Sequence, residues 1–286
     1  MPGLEPYDAI MLLSYGGPNG MDDVLPFMRN ATRGRGIPDE RLLQVSKHYE
    51  RFGGVSPINA CNQRLIADLS AELSRRGYDI PVGWGNRNWH PFVAEGLDEL
   101  AQAGARRILV LPTSAYASYS GCRQYREDLA EAAQSLREKW GSIALGAEDN
   151  ADNPNADIIV DKVRPYYSTP GMASAEIASI RRAWSALVEG GADPNGIRLI
   201  FVTHSIPVSM EAGSSPFPFP SAVSSSLAAE AGGELEGEET SSLGTPASEI
   251  SYVAQHHALI QAIMPEVRRV LGREDLGYDL AFCSRS

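Results

Sequence analysis

Cysteine is scarce in this chain: three among 286 residues, at Cys61, Cys122 and Cys283, widely spaced and with no C-x-x-C pair. That set excludes a disulfide framework and a self-contained zinc site, and three reduced thiols in a cytoplasmic protein are expected. Long apolar runs are missing as well. Met1 to Asp8 carries no basic residue, and the stretch Ala9 to Leu13 that follows is too short for a signal core or a membrane span. Basic charge is in deficit, with 25 Lys and Arg against 36 Asp and Glu and a formal balance of −11. Such a surface has no broad field for nucleic acid or anionic lipid, although a local basic pocket stays open. No G-x-x-x-x-G-K-[ST], no G-x-G-x-x-G after a strand, no H-E-x-x-H and no G-x-S-x-G occurs, so nucleotide and metalloprotease readings lose their main support.

What remains is globular in composition, 43% hydrophobic and 21% charged, and long enough for two domains. Ala9-Ile10-Met11-Leu12-Leu13 empties into Ser14-Tyr15-Gly16-Gly17-Pro18, the pattern of a strand buried on both faces that ends in a tight loop. Helix is then expected at Asp22–Asn30 and Arg64–Arg76, strand at Asp79–Trp84, helix at Phe92–Ala103 and a second buried strand at Arg107–Pro112. Tyr125–Trp140 predicts a helix and Ile143–Ala147 a weak strand. Asp157–Tyr167 and Ala173–Leu187 predict two more helices, and Arg198–Val202 another buried strand. Alternation of this kind implies an α/β fold with parallel sheets, and the second half repeats the logic of the first. Two similar doubly wound domains are expected, 1–150 and 151–286, the second incomplete. The carboxyl edges of their strands are where such folds bind ligands, which would define a cleft between them.

Between Glu211 and Glu249 there are seven Glu, no Lys or Arg and many Ser, so an exposed insertion at about 211–249 is expected. It reads as an acidic interaction arm or as a solvated loop. A helix from about Ser251 to Leu271 and a strand at Gly277–Cys283 follow. A strand of this sheet type needs a covering element, so the chain is expected to continue beyond Ser286.

Several side chains are placed for chemistry. His204, at the end of an apolar strand, could take a proton near neutral pH or bind a divalent metal; it could equally be a satisfied, half-buried histidine. Tyr15 stands in the corresponding place in the first half, among glycines that let a ligand approach the backbone, and its phenol could ligate iron or simply pack. Arg33 and Arg35, on a glycine frame, suit capture of carboxylates or phosphates. His256 and His257 are adjacent on a helix and point about 100° apart, so they do not converge on one ion and read as solvated or partly packed.

Taken in order, these residues resemble the ferrochelatase family. The likeness is carried by Leu13-Ser14-Tyr15-Gly16-Gly17-Pro18, by Arg33-Gly34-Arg35, and by Tyr49-Glu50-Arg51-Phe52-Gly53-Gly54-Val55-Ser56-Pro57-Ile58. It continues through Leu111-Pro112 and the Ser- and Tyr-rich loop Ser114–Tyr125 to Thr203-His204-Ser205-Ile206-Pro207. It covers the chain apart from the acidic insertion and is closest in wording to the coproporphyrin branch of Gram-positive, actinobacterial bacteria.

The resemblance implies insertion of Fe²⁺ into coproporphyrin III in haem synthesis. His204 would be the iron ligand or proton acceptor, and Tyr15 an axial group on the opposite face. Ser56 and Tyr125 would contact the porphyrin, and Ser56, Arg33 and Arg35 would hold its propionates. It also implies a glutamate partner for His204 beyond residue 286. A [2Fe–2S] cluster would need cysteines not present here, since three cannot supply a Cys₄ set. A cytoplasmic monomer is expected, with coproporphyrin III and Fe²⁺ as its partners, no nucleic acid and no transmembrane segment. A chelatase for another metal and a non-catalytic porphyrin carrier are the alternatives.

Overall fold

A computed structural model describes residues 4–146, 155–206 and 251–283. The acidic stretch at 211–249 lies outside them, as does the last residue of the strand expected at Ile143–Ala147. The chain divides into two compact units, Met1–Ser114 with Gln124–Arg164, and Ala115–Arg123 with Pro165–Ser286.

The first unit is a five-stranded parallel sheet. Its strands are β1 (Ala9–Ser14), β2 (Val82–Asn86), β3 (Arg107–Pro112), β4 (Ile143–Leu145) and β5 (Ile158–Lys162), in the spatial order β2-β1-β3-β5-β4. Its helices are α1 (Met21–Ala31), α2 (Asp39–Glu50), α3 (Pro57–Arg75), α4 (Val93–Gln102) and α5 (Tyr125–Trp140), the last entered through a π-helical turn at Tyr119–Gln124. All six residues of β1 are buried. Ala9, Met11 and Leu13 pack with Val93, Leu97 and Leu100 of α4 and Leu129 of α5, while α3 lies along β1 and β2. The continuous apolar run is thus covered on both sides, as a central parallel strand must be.

The expected helix at Asp157–Tyr167 is a correction: Ile158–Lys162 is strand β5, paired with β3 on one side and β4 on the other. Ile158, Ile159 and Val160 are all buried. Three consecutive β-branched residues in apolar surroundings favour a strand, whose alternation sends them to two covered faces. Helix α2 was not anticipated, because among its residues only Leu42 is buried and no apolar stripe announces it. Helix α3 begins at Pro57 rather than at Arg64. Ser56 caps it by accepting from the Ile58 N–H, and Pro57 occupies the first turn, where its missing N–H costs nothing. Strand β2 runs Val82–Asn86, a few residues beyond Asp79–Trp84.

In the second unit β6 (Leu199–His204) pairs in parallel with β7 (Tyr278–Cys283), from Leu199 beside Tyr278 to His204 beside Cys283. Helices α6 (Pro170–Glu189) and α7 (Tyr252–Leu271) pack with them through Leu259, Ile260, Ile263 and Val267 of α7 and Leu199, Phe201 and Leu280 of the strands. Here the expectation of a buried strand is corrected. Burial alternates along β6, with Leu199, Phe201 and Thr203 partly buried while Ile200, Val202 (64% exposed) and His204 are exposed. Both helices pack on one face of the pair. Among the described residues no helix is long and apolar enough to cross a membrane.

Candidate active site

In the first unit the site grows from the carboxyl end of β1. Ser14 is fully buried and its Oγ lies 3.0 Å from the Thr113 hydroxyl, while its carbonyl accepts from the Arg87 N–H at 2.9 Å. The next carbonyl, of Tyr15, accepts from Asn88 twice, from N–H at 3.1 Å and from Nδ2 at 3.2 Å. Beyond it the backbone runs too close to its neighbours for side chains. A Cβ on Gly16, which has φ +78°, would stand 2.8 Å from the Cβ of Asn86, and one on Gly17 would stand 2.6 Å from the Cβ of Ser56. Asn59 Nδ2 holds the Gly17 carbonyl at 2.7 Å, and the Ser56 N–H holds that of Pro18 at 2.9 Å. The Gly-Gly-Pro turn is therefore clamped on two sides by residues distant in sequence, which fixes where Tyr15 starts from.

The Tyr15 side chain is 43% exposed and meets the edge of Phe27 at 6.2 Å. Phe27 also makes edge contacts with Tyr49 and Trp89, both at 6.5 Å. Burial raises the Tyr49 phenol above its ordinary range, and the Tyr15 phenol adds to the effect. Tyr125 is buried at the start of α5 and its phenol is pushed up to about 12, chiefly by burial, with Arg87 and the Thr113 hydroxyl pulling the other way. Its hydroxyl therefore acts as a neutral hydrogen-bonding group across the ordinary pH range. Ser56 opens onto a groove of about 610 Å³ lined with Tyr49, Phe52, Val55 and Pro57, in which Phe52 is 74% exposed. The structure thus brings Tyr15 and Ser56 to one turn and sets Tyr125 close enough for its phenol to feel Tyr15.

Arg33 and Arg35 lie in the turn after α1, across a hollow that also takes in Asn86 and Asn88 of the Tyr15 turn's supports. They line this hollow of about 500 Å³ together with Arg87, Gln124, Asp128 and Glu131. Arg33 donates to Asn30 Oδ1 at 3.1 Å and Arg87 to Gln124 Oε1 at 2.6 Å. Asp128 Oδ2 is 3.4 Å from Arg87 Nε, a charge contact without a hydrogen bond, and this buried oxygen has no hydrogen-bond donor. Burial lifts the carboxyl to about 6 against the pull of Arg87, with Glu131 and Glu127 adding to the rise.

A carboxyl raised from about 4 to about 6 on folding binds its proton more tightly in the native state. Its penalty is nil below about pH 4, grows as pH rises to about 6 and is constant above, reaching at most about 3 kcal/mol. Asp128→Asn is therefore expected to gain stability relative to the wild type across that window. Urea midpoints measured from pH 4 to 7 should diverge in the variant's favour, and parallel curves would contradict the assignment.

In the second unit His204 ends β6. Its Nδ1 is 2.6 Å from the Ser205 carbonyl oxygen, and because a carbonyl only accepts, Nδ1 must carry the hydrogen. The basic lone pair of the neutral ring is then on Nε2. Ser205 N–H donates in turn to the Cys283 carbonyl at 3.1 Å, tying the strand end to β7. On the opposite face Thr203 reaches His256 of α7 at 2.8 Å. His256 is buried, unlike the solvated or partly packed residue expected. The signal was present in α7, where the buried Gln255, His256, Leu259, Ile260 and Ile263 recur at helical spacing. Sequence reasoning also missed Asn86, Asn88 and Asn59, whose side chains brace the Tyr15 turn.

The family model for ferrochelatase matches residues 7–286. The chain is 44% identical over 283 residues to the coproporphyrin III ferrochelatase of Leifsonia xyli subsp. xyli, covering 98% of this chain and 62% of that protein. It is 48% identical over 212 residues to the coproporphyrin III ferrochelatase of Streptomyces coelicolor, covering 74% and 52% respectively. A third relative of that description, from Tropheryma whipplei, is 39% identical over 284 residues, with 99% and 62% covered. The chain spans about three-fifths of the length of the curated relatives that it matches end to end. With the match running from Tyr7 to the last residue, through the turn at Tyr15 and the strand end at His204, the chain belongs to the ferrochelatase family.

Proposed function

We propose that the protein inserts Fe²⁺ into coproporphyrin III to give the iron porphyrin of bacterial haem synthesis. The observation that supports this most is the combination of near end-to-end likeness to enzymes of that name with an imidazole whose Nδ1–H is committed to a carbonyl. Metalation removes two pyrrole protons and needs the macrocycle bent so that nitrogen lone pairs meet the metal. His204 Nε2 is the base that takes a pyrrole proton or the ligand that hands over Fe²⁺. Tyr15 offers its phenol to the metal, and the braced Gly16-Gly17 turn gives a rigid wall that favours the bent conformer. The apolar groove of Tyr49, Phe52 and Val55 suits a macrocycle face, with the Ser56 hydroxyl at its margin for a propionate. Tyr125 adds a neutral donor. Arg33 and Arg35 suit peripheral carboxylates.

Ferrous iron is a substrate here. The three cysteines sit on α3, in the turn before α5 and on β7, and three thiols do not complete a Cys₄ cluster. The proposed setting is the cytoplasm, and the proposed state a monomer, which the mutual repulsion of chains of net charge −11 favours.

Product formation from Fe²⁺ and coproporphyrin III, measured on this chain and on the same chain extended to the length of its relatives, tests the reading. Turnover in either supports it, and competition with Co²⁺ and Ni²⁺ identifies the preferred metal. Porphyrin binding without turnover in both would leave a carrier instead. Tyr15→Phe removes one oxygen and nearly keeps the ring volume. It is expected to shift the visible spectrum of bound iron coproporphyrin while leaving the melting temperature within about 2 °C. An unchanged spectrum at saturating ligand would mean that Tyr15 only packs.

A further inference from the structure

Thr203 stands one residue before His204 and projects to the opposite face of β6, where its hydroxyl is a hub. Tyr252 Oη lies 2.9 Å from it and His256 Nε2 2.8 Å. His256 Nδ1 is 2.8 Å from the Tyr252 carbonyl, an acceptor only, so Nδ1 carries hydrogen. In the neutral ring Nε2 then accepts from Thr203, and Thr203 accepts from the Tyr252 phenol. With the ring neutral, this one arrangement of protons satisfies all three contacts. The ring cannot turn out of it, because it lies flat against Tyr116 at 3.8 Å with an interplanar angle of 11°, and Tyr116 is itself stacked on Tyr167 at 5.4 Å. The neighbouring Gln255 bonds both polar groups of Ala117, accepting from N–H at 2.7 Å and donating to the carbonyl at 3.0 Å. The first turns of α7 and the segment carrying Tyr116 thus form one rigid support beneath the last residues of β6.

We infer that His256 is a positioning residue for His204. Its bond to Thr203 anchors the end of β6 from below, so that the His204 imidazole keeps Nδ1–H on the Ser205 carbonyl and its lone pair on Nε2. The physical need is plain. Among the described residues β6 pairs with β7 along one edge, strand ends open at little cost, and a proton acceptor displaced by about 1 Å loses much of its rate. Main-chain bonds to β7 fix the strand's register. They leave its tilt about the strand axis less constrained, and a side-chain anchor on the helix side supplies that constraint. Tilt at Thr203 is passed through one peptide unit to His204, because the two residues share it. This inference rests on the reading of His204 as the proton acceptor or iron donor.

Three variants of the intact protein test it. Thr203→Val keeps the branched shape and removes the hub. His256→Phe keeps a ring on Tyr116 and removes both bonds, and Thr203→Ser restores the hydroxyl. Thr203→Val and His256→Phe are each expected to lower kcat for iron insertion about tenfold, with KM for the porphyrin within about twofold and Thr203→Ser close to wild type. The double variant should be no slower than the slower single one, since both remove the same interaction. Ring ¹⁵N–¹H spectra give a readout independent of turnover: His204 should show one tautomer with hydrogen on Nδ1 in the wild type and a mixture in both variants. Unchanged His204 ring signals in both variants would overturn the inference, as would wild-type kcat per folded molecule. A wild type that binds porphyrin but inserts no iron would end the proposed function alone, and the ring spectra would then decide the positioning role.

Discussion

His204→Ala is expected to lower iron insertion by at least about a hundredfold, the usual scale for loss of a positioned acid–base group, while porphyrin affinity changes far less. The Ser205 carbonyl sets the state of the ring. Because it engages Nδ1 at 2.6 Å, it selects the tautomer that carries its lone pair on Nε2, the atom proposed to meet a pyrrole proton or Fe²⁺. No other side chain in the matched motifs can both accept a proton near neutral pH and coordinate iron. Alanine at the exposed strand end would remove that proposed role while creating little cavity, so stability should be nearly kept. If His204 were only a packed strand-end residue the order would reverse, with a lowered melting temperature and preserved turnover per folded molecule. Turnover and melting temperature measured on the same preparation separate the two.

The second large effect is on stability. Gly54 has φ +76°, and a Cβ there would meet main-chain atoms: Met21 N at 2.4 Å, Gly20 C at 2.5 Å and Met21 Cα at 2.6 Å. Backbone cannot rotate aside as a side chain can. Gly54→Ala is therefore expected to cost about 2–5 kcal/mol, combining the left-handed conformation at about 1–2 with overpacking at about 1–3, and to lower the melting temperature by roughly 10 °C. Gly53 is the control. Its φ is +63°, yet nothing lies within 4 Å of the Cβ position, so Gly53→Ala should cost only about 1 kcal/mol. The site feels the difference too, since Gly54 leads through Val55, which bridges to Asn19, into the Ser56 that braces the Tyr15 turn. Equal melting temperatures for the two variants would contradict this account of the close approach.

How far the sequence could be read follows from which forces are local. Ala9–Leu13 was legible because five consecutive apolar residues admit few placements other than a covered strand, and Tyr125–Trp140 because helical spacing runs its whole length. Ile158–Lys162 misled because Ile-Ile-Val followed by Asp-Lys fits either period over so short a window, and its neighbours β3 and β4 decide the matter. The openness of Ile200 and Val202 depends on which face α6 and α7 choose, and no local pattern encodes that. Tyr15 and His204 announced themselves as polar residues at the ends of apolar strands. Their supports did not, because Asn88, Asn59 and His256 act across long stretches of chain on backbone atoms and a single hydroxyl. Nor could spacing tell that Arg33 and Arg35 share a hollow with Arg87 and Asp128, while Ser56 opens onto a groove lined with Tyr49 and Phe52.

Metalation of a porphyrin has a stoichiometry that mere binding lacks, since each iron inserted displaces two pyrrole protons. Anaerobic mixing of the extended chain with Fe²⁺ and coproporphyrin III in weak buffer, with a pH indicator and the porphyrin's visible bands followed together, is the most direct test. Release of two protons per porphyrin is expected, in step with collapse of the four-band free-base spectrum to the two-band metal spectrum, and slowed at least about a hundredfold in His204→Ala. A porphyrin that binds, keeps its four bands and releases no protons would contradict the proposed function.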